Sequence, residues 1–118
     1  MAAQSEAAFQ QECRISFHNK YPHLRKLLFH VRNNSKDKRE GAYWKELGVV
    51  AGVSDFIFLF AGRCWCIELK TPTGYQSPDQ IEWQLRVEQQ SIFYQTVNSI
   101  EKFDKLINDI VTGKIYEK

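Results

Sequence analysis

Two short apolar runs, Ser54 to Phe60 and Arg63 to Lys70, meet at Ala61-Gly62. Both are rich in β-branched, aromatic and small apolar residues, and a glycine at their junction marks a β-hairpin. A turn centred on those two residues makes the numbers of cross-strand partners add to a constant. Phe60 then faces Arg63, Phe58 faces Trp65, Ile57 faces Cys66 and Asp55 faces Glu68. Because side chains alternate along a strand, Asp55, Ile57 and Leu59 share a face with Cys64, Cys66, Glu68 and Lys70. Two carboxylates therefore stand opposite each other at roughly 5 Å between Cβ atoms, which is unfavourable unless a cation lies between them. A two- or four-residue loop keeps this register, whereas a three-residue loop shifts it by one and parts the acids.

The bland alternative has Asp55 ending a loop and Glu68 forming a solvated ion pair with Lys70. Against it, both strands are apolar on both faces, as strands interior to a sheet are. Acids seldom enter such strands without a partner or a metal.

With 118 residues, 43% hydrophobic and 14% aromatic, the chain suits one domain spanning 1–118 with a modest core. It has no apolar run near the roughly 18 residues of a membrane span, and Met1 to Glu12 lacks the order of a secretory signal, so a cytoplasmic protein is expected. Cys13, Cys64 and Cys66 form no disulfide framework. They read as small apolar residues, with a zinc site as the alternative.

The net charge of +2 hides an uneven distribution. Lys20, Arg25, Lys26, Arg32, Lys36, Lys38, Arg39 and Lys45 fall in one segment with only Asp37 and Glu40 to oppose them. A basic segment beside clustered acids suits a protein that holds a polyanion while the acids hold metal, although a solvated loop gives the same pattern. Arg32, Lys36, Lys38 and Arg39 are the candidate nucleic-acid contacts.

Along the chain, Ser5 caps a helix to about Lys20 that buries Phe9, Cys13 and Phe17, with Glu12 beside that stripe. Pro22 breaks it, and Leu27 to Arg32 reads as a strand. Lys36 to Val50 is ambiguous, its glycines favouring a loop with one helical turn. Ser77 caps a helix opening with Pro78 and running to about Gln90. Ile92 to Asn98 is a further strand, and Ser99 opens a last amphipathic helix ending near Gly113. His18, His23 and His30 show no metal-ligand or triad spacing and read as surface or satisfied core residues.

The order helix, three strands, helix, strand, with an aspartate opening the second strand and Glu-x-Lys in the third, resembles the PD-(D/E)XK nuclease superfamily. More narrowly, Gly52-Val53-Ser54-Asp55, Ile67-Glu68-Leu69-Lys70, Ser77-x-x-Gln80-x-x-Trp83 and Ser99-x-Glu101 resemble its VRR-NUC branch in small stand-alone form. The resemblance implies an α/β, restriction-endonuclease-like fold with a mixed central sheet flanked by helices. It implies that Asp55, Glu68 and the Leu69 carbonyl ligate Mg2+ or Mn2+, and that Lys70 orients or activates the attacking water and offsets charge on the phosphate. Glu12 matches an acid often set beside the metal, and Gln80 a polar residue reaching the same site. An exposed helix acid explains Glu12 equally well, and Gln80 and Trp83 also fit a stripe packed on the sheet. Ser54 replaces the usual proline before the aspartate.

The resemblance further implies a DNA endonuclease, acting as a homodimer on branched DNA such as four-way (Holliday) junctions. The competing readings are a non-catalytic DNA-binding subunit of the same fold, and a nuclease preferring flap, nicked or single-stranded nucleic acid.

Overall fold

A computed structural model describes residues 4–31 and 37–115. Helix α1 (Glu6–Lys20) leads through a 3-10 turn (Pro22–Leu27) to β1 (Leu28–His30) and α2 (Lys38–Glu46). The hairpin β2 (Phe56–Phe60) and β3 (Arg63–Leu69) follows, then α3 (Pro78–Gln89), β4 (Phe93–Val97) and α4 (Ile100–Val111). The four strands form one mixed sheet in the order β1-β2-β3-β4, antiparallel except for the parallel β3–β4 pair. That parallel pair needs a crossover, which α3 supplies. No helix among the described residues is long and apolar enough to cross a membrane.

The hairpin has the register expected from its sequence, with Phe60 opposite Arg63, Phe58 opposite Trp65 and Ile57 opposite Cys66. Ala61 and Gly62 both take positive φ, 56° and 73°, so two left-handed residues close the turn with the twist the strands require. The loop therefore keeps the two acids in phase.

Alternation then divides the hairpin. Phe56, Phe58, Trp65, Ile67 and Leu69 face a core shared with Phe9, Cys13 and Phe17 of α1 and with Phe103, Leu106, Ile107 and Ile110 of α4. Phe17 meets Phe58 edge-on at 5.4 Å between ring centroids. Ser5, Ser77 and Ser99 each accept a backbone N–H at the start of their helices, as their positions in the sequence foretold.

The structure departs from the sequence reading between Asp37 and Leu47. In place of a loop with one turn stands a nine-residue helix, α2, capped by the Asp37 side chain, which accepts from the Glu40 N–H at 2.8 Å. The cap and Glu40 in the first turn outweigh the cost of Gly41, about 1 kcal/mol in a helix interior. None of its residues is buried.

Candidate metal centre

The site forms where β2 begins and β3 ends, among side chains that alternate with those of the core face. Asp55 immediately precedes β2, and its N–H donates to Glu68 Oε1 at 3.1 Å. In return the Leu69 N–H donates to Asp55 Oδ2 at 2.7 Å. Each acid thus accepts a backbone N–H from the opposite strand, Glu68 from Asp55 and Asp55 from Leu69, which extends the hairpin register by one pair. Behind Asp55, the buried Ser54 hydroxyl donates to the Phe56 carbonyl, so the residue that replaces a proline holds the turn by a hydrogen bond instead.

Gln80 gathers the remaining groups. It lies in the first turn of α3, where the Ser77 hydroxyl accepts its N–H and its own Oε1 accepts the Ser77 N–H, a reciprocal cap. The same Oε1 accepts from Lys70 Nζ at 2.9 Å, while Nε2 donates to Glu68 Oε2 at 2.8 Å. Lys70 Nζ stands 3.4 Å from Glu68 Oε2. The Gly52 loop fixes α3 against this site, because Gly52 has φ +85° and a Cβ there would come within 2.3 Å of the Asp79 carbonyl. Only a glycine permits that approach.

Electrostatically the pair is under strain from its own charge. Glu68 is 1% exposed, and burial first, then the Asp55 carboxylate, push its pKa up to about 8 against the pull of Lys70. Asp55 is also raised, chiefly by burial. Tyr94, on β4 beside Cys66, is raised by burial and by Glu68 and accepts a hydrogen bond from Gln76 Nε2 at 3.1 Å. With Lys70 as the nearby cation Glu68 still favours its protonated form, and a further cation would allow both acids to ionise.

The donor set fits a hard divalent ion. Among the described residues no group of three or more His, Cys, Asp or Glu could hold a metal, which leaves two carboxylates, carbonyl oxygen and water. That is how magnesium is commonly held. The cysteines do not compete, since the thiols of Cys13 and Cys66 are buried and pushed up to about 12.

Asp55, Glu68, Leu69, Lys70 and Gln80 are therefore brought together, and Glu12 is not among them. Glu12 is exposed and accepts a hydrogen bond from Gln4 Nε2. The acid of α1 that reaches the centre is Glu6, 3.9 Å from Lys70 Nζ. It borders a polar pocket of about 300 Å³ with His30, Asp55, Ser77 and Gln80. Counting back three residues from Phe9 puts Glu6 one turn further along the stripe with Cys13 and Phe17, a partial signal that gives its face but not which turn of α1 passes the sheet end. His30 is the second residue missed. Its Nδ1–H donates to the Asp55 carbonyl at 2.7 Å, so it borders the centre instead of being an unrelated surface residue. Lys38 and Arg39 are exposed at the start of α2, and Arg32 and Lys36 lie outside the described residues.

A solved structure titled "VRR_NUC domain protein" superposes with a TM-score of 0.80 at 20% identity, covering 95% of this chain and 92% of its own. The chain has a VRR-NUC fold. The sequence matches no protein-family model and no curated protein. At that identity the likeness establishes the mixed α/β architecture, and the VRR-NUC fold found here is the restriction-endonuclease-like core expected from the motifs.

Proposed function

We propose that the protein is a metal-dependent DNA endonuclease that hydrolyses phosphodiester bonds at the Asp55–Glu68–Lys70 centre. The observation that carries this reading is the crosswise pairing of the buried Glu68 with the half-buried Asp55, with a lysine fixed beside them by Gln80. A purely structural role would not call for two acids raised by burial at one end of a sheet.

Magnesium or manganese held by Asp55, Glu68 and the Leu69 carbonyl would supply a Lewis acid for the phosphoryl oxygen and a hydroxide near neutral pH. The chain's own groups do the rest. Lys70 presents a positive charge beside the acids, where negative charge grows on the phosphate during hydrolysis. Gln80 holds that ammonium and Glu68 in fixed relation, and because its side chain also bonds back to the Ser77 N–H in the helix cap, its rotamer is set before substrate arrives. Glu6 and His30 border the pocket as further polar groups for substrate or water.

Lys38, Arg39, Arg32 and Lys36 are proposed to hold the DNA backbone. Branched DNA and a homodimer complete the proposal, since symmetric cutting of a four-way junction needs two centres and an isologous dimer is the commonest assembly. The test is incubation with four-way junction, flap, duplex and single-stranded DNA. Cleavage is expected with magnesium or manganese, and only weakly with calcium, whose looser coordination activates water less. Full activity in excess chelator would end the metal-nuclease reading.

A further inference from the structure

A groove of about 630 Å³ runs beside α1, on the side of the 3-10 turn and β1. From α1 it is lined by Gln10, Arg14 and His18, and from the opposite wall by Arg25, Lys26 and His30. These α1 residues recur every four positions on a face adjoining the buried Phe9, Cys13 and Phe17 stripe. No acid lines the groove among the described residues. Arg14 and Lys26 are exposed and form no ion pair with the described residues, while Arg25 is aimed by a hydrogen bond from its Nε to the His18 carbonyl at 3.0 Å. After burial, the charges of Arg14 and Arg25 hold the His18 imidazole below its usual range.

The groove does not stand apart from the metal centre. His30 lines both the groove and the polar pocket at Asp55, and Ala7, at the groove's near end, follows Glu6, which lines the pocket. From Ala7 to His18 the helix extends roughly 16 Å at 1.5 Å per residue. Backbone charges of one DNA strand recur at about 3.4 Å along the duplex axis, so this length accommodates several consecutive phosphates.

We infer that this groove carries the phosphodiester backbone flanking the scissile phosphate, with Arg14, Arg25 and Lys26 as its phosphate contacts and His30 at the passage into the catalytic pocket. The inference rests on the nuclease reading above and adds a substrate path along α1 and the 3-10 turn, built from residues other than the basic ones proposed there. It gives the exposed cations Arg14 and Lys26 a ligand of the right charge and spacing, and it leads that ligand to the carboxylates.

The experiment compares wild type with the double variant Arg14→Ala, Lys26→Ala in steady-state cleavage of labelled duplex, single-stranded and four-way-junction DNA. Cleavage is run in magnesium at several salt concentrations, with melting curves alongside. Both residues are exposed, so the melting temperature should hold. The groove predicts that kcat/KM falls about tenfold or more at moderate salt, chiefly through KM. It also predicts a salt dependence shallower by roughly 1.8 on duplex, two contacts at about 0.9 each. The charge-conserving variant Arg14→Lys, Lys26→Arg should recover most of both. Unchanged KM and salt slope in a double variant that still cuts would overturn the groove and leave the nuclease standing. A wild type that cuts none of these DNAs would overturn both.

Discussion

The two faces of the β2–β3 hairpin are made by alternate residues of the same two strands, and they do opposite things. On one, Phe56, Phe58, Trp65, Ile67 and Leu69 are almost wholly removed from solvent against α1 and α4. On the other, burial disfavours the charged forms of both Asp55 and Glu68, and the Asp55 carboxylate adds to the cost at Glu68. The first face gains stability from every side chain it covers, whereas the second gives some of it up to keep two acids together. A two-residue turn is enough to hold both in register, because one position of slip would exchange the faces.

Breaking the core face should produce the largest loss of stability. Phe58 is 0% exposed, and Phe58→Ala should cost about 3–5 kcal/mol in urea unfolding, while the folded fraction keeps its kcat. A variant that stays stable but stops cutting would show that the faces are not separable in this way.

A smaller, pH-dependent effect belongs to the other face. Glu68 has a pKa of about 8 in the folded, metal-free protein against an ordinary 4.5. Between these values the folded chain keeps a proton that the unfolded chain has released. The associated stability is therefore fully present below 4.5 and declines as pH rises toward 8. Glu68→Gln cannot release that proton and should flatten the decline, measured by denaturant unfolding in chelator at pH 5 and pH 8. Equal pH dependence in both proteins would mean that Glu68 is not held under electrostatic strain.

Much of this was legible in the sequence, for reasons that differ by residue. The opposition of Asp55 and Glu68 followed from counting across a tight turn, and the three serine caps followed from their positions before periodic segments. Gln80 was identifiable as a residue near the site, but its double duty as cap and bridge needed the actual angle between α3 and β3. The choice of Glu6 over Glu12 depended on which turn of α1 passes the sheet end. Periodicity assigns a face to a residue and leaves its height along the axis open. His30 was out of reach because β1 and Asp55 are separated by more than twenty residues, and only their pairing brings the ring to the Asp55 carbonyl. The helix α2 was obscured by Gly41, whose local cost said nothing of the Asp37 cap.

Asp55→Asn puts the central claim to its most direct test, through melting curves with and without magnesium beside a cleavage assay. Asparagine can still accept the Leu69 N–H, but it removes a carboxylate whose charged form burial disfavours. The metal-free variant should therefore melt at the same temperature as wild type or higher, and cleavage should be abolished. Magnesium should raise the melting temperature of wild type more than that of the variant, because a ion bound only by the native state stabilises according to its occupancy. A variant that is destabilised by roughly 1 kcal/mol, as loss of a turn cap would produce, and that still cuts DNA would contradict the paired-carboxylate centre.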